Sequence, residues 1–198
     1  LKLKNFYSLF SKNASREIII NIFPQFKYYK RLKTINNLSN EFRSKFDEEL
    51  FLSILISDQS NDHEYFCHKY KVSNNIKNRL KNISTNYKEL NNKKFYSEKN
   101  IRKLIYLYGR DYVRDLLLFS IPINHGLKKI SIENLINYVD ECKIPKFPIS
   151  GDFLKEHGYQ SGKSLGKKLK LLEEKWIENN FFIEKKTIEK SLQKGNKG

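Results

Sequence analysis

The sequence has few cysteines and no long apolar run. Its two cysteines, Cys67 and Cys142, lie far apart, belong to no CxxC pair and have no histidine at metal-binding spacing. No apolar stretch reaches the length of a membrane span, and the N-terminus has no signal-peptide core followed by small residues. These absences predict a soluble, cytoplasmic protein whose thiols are reduced and structural.

Methionine is absent from all 198 residues, and the chain opens at Leu1 inside an amphipathic pattern that includes Leu3 and Phe6. An excised or truncated piece of a longer protein would begin in this way, and an unusual start codon would leave the same sequence. We expect a split or truncated gene product.

Strands with clean alternation of apolar and polar residues are also absent, whereas helical spacing recurs along the whole chain. Asn61, Ser73 and Ser97 are predicted to cap helices, and Gly109 to end one. Apolar spacing predicts one core helix over 42–57 and another over 163–179. The predicted fold class is all-α, a multi-helical bundle with a smaller helical tail.

Charge is what the sequence has in excess. The formal net charge is +16, which attracts polyanions: RNA or DNA first, an anionic membrane face second. Residues 63–110 carry 12 lysines and arginines against 3 acids, so aligned helices there would form one basic wall. The abundance of Lys, Asn, Ile, Tyr and Phe also fits AT-rich codon usage, which leaves part of the charge without functional meaning.

Motifs for catalysis are incomplete or absent in the sequence. Gly162, Lys163 and Ser164 resemble the end of a phosphate-binding loop, but the earlier glycine position is His157 and no strand precedes it. The four histidines lack HExxH spacing, and no Asp-x-Asp pair is present to hold Mg²⁺. The residues themselves predict no catalytic residue, no metal site and no cofactor.

One stretch is specific enough to suggest a family. From Pro148 the order runs PISGDFL, then Gly158, Gly162, LGKKL from Leu165, LE at Leu172 and finally Trp176. This order resembles the C-terminal region of bacterial CCA-adding tRNA nucleotidyltransferases and the related poly(A) polymerases. FDEELFLSILISD over 46–58, KYKVSNN over 69–75 and LIYLYGRDYVRDLLLF over 104–119 resemble the body helices of that family, and residues 6–26 more weakly resemble the end of its neck.

The resemblance implies a neck, body and tail without the catalytic head. Mg²⁺ and ATP or CTP would belong to that missing head. Two departures stand out: Gln160 to Lys163 replace the usual Pro-Gly-Pro turn, and Asp111 with Arg114 only mimic the Asp-x-x-Arg of the nucleotide-reading element. The implied ranges are 1–60 neck-like and early body, 61–142 basic body, 143–183 tail and 184–198 a charged, poorly ordered C-terminus.

The predicted function is that of an RNA-binding half of such an enzyme, with tRNA as its partner and a separately encoded head chain supplying chemistry. A decayed fragment without function and an unrelated basic helical interaction module remain alternatives. Charge and position select nine candidate RNA-binding residues: Arg79, Lys81, Arg102, Lys103, Arg110, Lys163, Lys167, Lys168 and Lys170.

Overall fold

Helices make up the whole regular structure of the described residues. A computed structural model of the chain describes residues 6–124, 129–184, 186 and 188, and within these ranges it contains no strand. The predicted all-α class is therefore confirmed. The α-helices are α1 (Phe6–Ser11), α2 (Asn13–Ile22), α3 (Leu32–Asn36), α4 (Asn40–Arg43), α5 (Glu48–Ile56), α6 (Asp62–Lys69), α7 (Asn74–Asn86), α8 (Glu98–Tyr108), α9 (Arg110–Ser120), α10 (Lys129–Glu141), α11 (Gly151–Glu156) and α12 (Lys163–Glu178).

The chain divides after Cys142 into two compact units, Leu1–Cys142 and Lys143–Gly198. Short 3₁₀ helices at Tyr29–Arg31, Glu89–Asn91 and Lys93–Tyr96 lie in the first unit. The finer division predicted at residues 60 and 183 stays a prediction. The predicted C-terminal segment 184–198 lies outside the described residues except at 184, 186 and 188.

Helices α5 and α9 form the centre of the first unit. Leu50, Ile54 and Ile56 in α5 and Leu116 and Phe119 in α9 have no exposed side-chain surface. Helix α9 packs against α5, α7, α8 and α10. Each such fully buried aliphatic or aromatic side chain contributes about 2 kcal/mol of transfer free energy, which makes this core the main source of stability.

Serine caps set where the two helices of the basic segment begin. Ser73 Oγ accepts a hydrogen bond from the Ile76 amide, and Ser97 Oγ accepts one from the Asn100 amide, both at 3.3 Å. These bonds satisfy amides that lack a partner in the first turn. Both predicted caps are confirmed, whereas the Asn61 side chain makes no capping bond at the start of α6.

The single core helix predicted over 42–57 is wrong. Two helices occupy this range, because α4 ends at Arg43 and α5 begins at Glu48. Asp47 Oδ1 accepts a hydrogen bond from the Leu50 amide at 2.8 Å and caps α5. Phe42 and Phe46 are nevertheless buried, because the turn between the helices keeps both rings in the core. The apolar spacing therefore predicted the buried residues correctly, but it wrongly predicted one continuous helix.

The second unit has its own small core. Ile149, Leu154 and Leu172 are buried, and Leu165 and Leu169 pack against them. Trp176 lies between Phe147 and Phe181, with ring centroids 5.3 and 4.9 Å away. The predicted inward stripe of the helix over 163–179 is confirmed by α12. This helix begins after Gly162, whose φ of 144° is a conformation that favours glycine.

Candidate nucleic-acid interface

Exposed lysines form a stripe along α7 and just beyond it. Lys77, Lys81 and Lys88 follow one another at spacings of four and seven residues, and all three side chains are exposed. Lys88 continues the helical backbone past Asn86, with φ of −64° and ψ of −41°. At 100° per residue these lysines lie within about 40° of one another around the helix axis. Together they present one row of positive charge, here named the α7 lysine stripe.

The α7 lysine stripe is not neutralised by the described part of the protein. No described aspartate or glutamate forms an ion pair with Lys77, Lys81 or Lys88. Leu80 and Ile83 fix the orientation of α7, because both are fully buried on its other side. The row of ammonium groups therefore keeps its charge for a ligand in solution.

Helix α8 carries two more of the candidate RNA-binding residues, Arg102 and Lys103. Its inward face is set by Ile101 and Ile105, which are buried. Arg102 and Lys103 are half-buried, and Lys99 is exposed on the same side of the helix as Lys103. Both α7 and α8 pack against α9. Whether the outward faces combine into one basic wall stays a prediction.

Arg79 lies at the centre of an internal ion network. Its guanidinium donates two hydrogen bonds of 2.6 Å to Asp115 and further bonds to Asp47 at 2.7 Å and Glu49 at 3.2 Å. Burial opposes the charge of the Arg79 guanidinium, but the hydrogen bonds to Asp115 and Asp47 outweigh burial and raise its pKa. Arg79 thus joins α7 to α9 and to the start of α5. Its contact with RNA stays a prediction. A phosphate of the RNA would have to compete with these carboxylates for the guanidinium.

Arg110 also has partners within the fold. It donates hydrogen bonds to the carbonyl oxygens of Val139 and Cys142, the latter at 2.7 Å, at the C-terminal end of α10. A cation is favoured there, because the last carbonyls of a helix lack amide partners and carry partial negative charge. Arg110 therefore holds the start of α9 against the end of α10, and its predicted RNA contact is likewise untested.

The predicted tail cations lie along α12. Lys163, Lys167 and Lys170 are exposed at spacings of four and three residues, on the side opposite the buried Leu172 and Trp176. Lys168 is half-buried, with its ammonium 5.9 Å from the centre of the Tyr159 ring. The second unit therefore presents its own lysine row, independent of the first unit's stripe.

A polar groove lies beside the α7 lysine stripe. It holds two adjoining cavities, because Asn82, Tyr108 and Tyr112 line both. One, of about 470 Å³, contains the Arg79 network together with Asp111 and Arg114 and is named the arginine cavity. The other has a volume of about 410 Å³ and is named the tyrosine cavity; it is lined by Lys81, Asn82, Thr85, Asn86, Tyr108 and Tyr112.

Two features of this region were not predicted from the sequence. Tyr108 is 58% exposed, with its ring centroid 4.7 Å from that of Tyr112. The spacing of Tyr108 places it on the apolar face of α8, so its position at the groove was not predictable. Asp111 and Arg114 form an ion pair with each other at 2.6 Å, and Arg114 also pairs with Asp140 at 2.6 Å, so this Asp-x-x-Arg sequence links α9 to α10.

Residues 25–38 form a segment rich in aromatic and basic side chains, and within it Arg31 makes its contacts inside the fold. Its guanidinium lies 3.8 Å from the centre of the Tyr28 ring and donates to the carbonyl of Ser57 at 2.8 Å and to the Tyr87 hydroxyl at 3.0 Å. Burial lowers the pKa of Arg31, and the surrounding acceptors compensate for the lost hydration. This arginine connects the N-terminal part of the unit to α5 and α7.

Metal-binding and membrane-spanning features do not occur in the described ranges. There, no group of three or more His, Cys, Asp and Glu side chains is placed to hold a metal ion. Gly162 and Lys163 form the turn and first residue of α12, and within the described ranges no strand precedes them. None of the helices described is long and apolar enough to cross a bilayer.

Known relatives resemble most of this chain. A CCA-adding enzyme of Lactococcus lactis subsp. lactis (strain IL1403) is 27% identical over 168 residues, which are 82% of this chain and 39% of the relative. A CCA-adding enzyme of Lactococcus lactis subsp. cremoris (strain SK11) is 27% identical over 175 residues, 86% of this chain and 41% of the relative. No family description and no solved structure matches.

The similarity covers more than four fifths of the chain. It confirms the family resemblance that the order of glycines, leucines and Trp176 suggested. The chain spans about two fifths of the length of the curated relatives it matches. This chain is similar to CCA-adding enzymes over about two fifths of their length.

Proposed function

We propose that this chain binds tRNA-type RNA and supplies the RNA-holding part of a tRNA nucleotidyltransferase. The observation that carries the proposal is the joint occurrence of CCA-adding relatives over 82% of the chain and exposed lysine rows on α7 and α12. Helical lysines contact phosphates without reading bases, which suits an RNA recognised by its shape.

The lysines carry this proposal more directly than the arginines. Arg79 and Arg110 have carboxylate or carbonyl partners, whereas Lys81, Lys163 and Lys167 are exposed to solvent. An exposed ammonium loses little when a phosphate replaces water, because no internal ion pair has to break. We therefore place the first RNA contacts at the two lysine rows.

We assign nucleotide addition itself to a catalytic head outside these 198 residues. In this proposal a head-bearing chain, or a head on the same longer polypeptide, provides the metal-binding carboxylates together with Mg²⁺ and ATP or CTP. The present chain would then raise the local concentration of tRNA at the head without touching the reacting atoms.

The test is a salt titration of tRNA binding by the purified chain. Wild type is compared with a Lys77→Glu, Lys81→Glu and Lys88→Glu triple variant by fluorescence anisotropy of labelled tRNA. We expect weaker binding by the variant. Its plot of log affinity against log salt should be shallower by about one unit for each phosphate that no longer meets a lysine.

The control reverses three exposed lysines outside both rows, Lys12, Lys146 and Lys175, and therefore makes the same change in net charge. It should keep most of the affinity. Equal losses in the two triple variants would show that only net charge matters, and no salt-dependent binding by wild type would contradict the proposal.

A further inference from the structure

We propose that the tyrosine cavity binds one unpaired nucleobase of the RNA, stacked on the ring of Tyr108. This inference rests on the proposed RNA-binding function and adds to it a contact with a base, where the lysine rows contact only phosphates. Four features of the groove carry it: its aromatic platform, its amide wall, the adjacent lysine and the size of the cavity.

Tyr108 offers an aromatic surface that the fold leaves open. The ring packs at 4.7 Å and 31° against Tyr112, and 58% of Tyr108 is still exposed. Tyr112 thus supports the platform from one side, while a planar ligand can approach the uncovered side. Every nucleobase has a π-face, so a tyrosine held in this way accepts a base of any sequence.

The wall of the cavity can satisfy the polar edge of a base. The side-chain amide of Asn86 donates to the Tyr112 hydroxyl at 2.6 Å and to the backbone carbonyl of Asn82 at 2.8 Å, so the side chains of Asn86 and Tyr112 are held in place. Asn82 and Thr85 are exposed and line the same cavity. Amides and hydroxyls of this kind both donate and accept, as the edges of nucleobases do.

A phosphate of the same nucleotide would meet Lys81. This lysine lines the tyrosine cavity and belongs to the α7 lysine stripe, so a strand following the stripe passes the mouth of the cavity. The volume of about 410 Å³ exceeds that of a single base and leaves room for the attached ribose.

The arginine cavity next to it is a poorer place for the nucleotide. Asp47, Glu49 and Asp115 line that cavity, and the donors of Arg79 are taken up by their carboxylates. The carboxylates that line the arginine cavity would repel a phosphate placed there. The RNA backbone is therefore better placed at Lys81, with the base at Tyr108.

The experiment measures binding of a single-stranded RNA that carries 2-aminopurine, whose fluorescence falls when it stacks. Wild type should quench the probe. Tyr108→Ala should abolish the quenching and weaken binding by about 5- to 150-fold, the range expected when one base–aromatic stack is removed, with an unchanged salt slope. Tyr108→Phe should restore both, because it keeps the ring.

Three controls separate base stacking from the loss of any exposed tyrosine, from charge and from folding. Tyr65→Ala removes a tyrosine that is also 58% exposed but does not line the groove, and it should bind as wild type. Heparin, a polyanion without bases, should bind Tyr108→Ala and wild type equally. Circular dichroism of each variant confirms the folded state.

The outcomes distinguish this inference from the proposed function. Wild-type affinity and quenching in Tyr108→Ala would overturn the base contact and leave the RNA-binding function standing. An equal loss of heparin affinity would also overturn it, since heparin has no base to stack. Absence of salt-dependent binding of tRNA and of single-stranded RNA by wild type would overturn both.

Discussion

Arginine and lysine side chains differ in their partners in this protein. Arg31, Arg79 and Arg110 donate to carbonyls or carboxylates of the fold, while Lys77 and Lys81 extend into solvent. The planar guanidinium presents several donors at once and loses less on dehydration than an ammonium, so arginine suits buried positions. Lys77 and Lys81 are therefore accessible to a ligand in solution, whereas these three arginines already have partners within the fold.

Tyr28 is a residue whose protonation state is tied to the fold. Its hydroxyl donates a hydrogen bond to Asp58, and its ring lies against the Arg31 guanidinium. Burial, followed by the hydrogen bond to Asp58, raises the pKa of Tyr28 from 10.0 to about 12. The neutral phenol is thus favoured in the folded state relative to the unfolded chain.

Stability should therefore fall at alkaline pH through Tyr28. Below pH 10 the neutral phenol contributes fully, and the contribution is lost as pH rises from 10 through about 12. Tyr28→Phe removes the hydrogen bond and should cost about 1 kcal/mol of unfolding free energy below pH 10, with a smaller difference from wild type at higher pH. Urea unfolding at a series of pH values measures this difference.

The matched control for Tyr28 is Tyr65→Phe, which removes a phenol from a residue that is 58% exposed. It reports the effect of losing a surface hydroxyl under the same alkaline conditions. A difference between wild type and Tyr28→Phe that stays constant up to about pH 12 would contradict the role given to the hydrogen bond with Asp58.

The partners of individual side chains were the least predictable part of the structure. Arg79 bonds to Asp47 and Asp115, which lie 32 and 36 residues away in sequence. Helical spacing identifies the side of α7 on which Arg79 lies, but only the packing of α7 on α5 and α9 brings these carboxylates to it. The same reason explains why helical spacing predicts a core position for Tyr108, which lies instead at the groove.

At the scale of helices, the local capping signal was reliable for two of the three predicted caps, because Asn61 makes no capping hydrogen bond. Ser73 and Ser97 cap α7 and α8 within three residues of themselves, and both were predictable. The break between α4 and α5 was not, because Phe42 to Leu55 keep helical spacing across it. The Asp47 cap decides the break, and an aspartate inside an apolar pattern is also common on helix surfaces.

Gly109 forms the junction of α8 and α9, with φ of 90° and ψ of 167°. No atom lies within 4 Å of where a Cβ would be, so a substitution there meets only backbone strain. Gly109→Ala should destabilise the first unit by about 1 to 3 kcal/mol. Urea unfolding followed by far-ultraviolet circular dichroism measures this change.

Gly166 provides the opposite case within α12. A Cβ there also meets no atom within 4 Å, but the backbone is helical. Gly166→Ala should therefore stabilise the second unit by about 0.5 to 1 kcal/mol, as measured by the fluorescence of Trp176. Changes of the same sign in the two alanine variants would contradict the conformational explanation.

At the scale of the whole molecule, the two units differ in the size of their cores. The first unit buries α5 and α9 among several helices, whereas the second relies on Ile149, Leu154, Leu172 and the surroundings of Trp176. Smaller cores leave less free energy to offset conformational entropy. The second unit should thus be the less stable one.

The tryptophan makes this difference measurable, because the chain has only one and it lies in the second unit. In a urea titration, Trp176 fluorescence should report a transition at lower denaturant than circular dichroism, to which the first unit's helices contribute most. Coincident transitions would show that the units unfold as one cooperative system. From the sequence, the division into a body and a tail followed from the family resemblance, because helical spacing continues on both sides of it.

The Gly109 junction has a genetic consequence. Gly109 joins α8, which ends at Tyr108, to α9, which carries Tyr112, through a backbone conformation that an L side chain rarely adopts. Under the proposed function, a screen for alleles that lose RNA binding should recover substitutions at Gly109 alongside those at lysines, although Gly109 has no side chain to contact RNA. Such an allele would be grouped with binding-site mutants by phenotype and with folding mutants by mechanism.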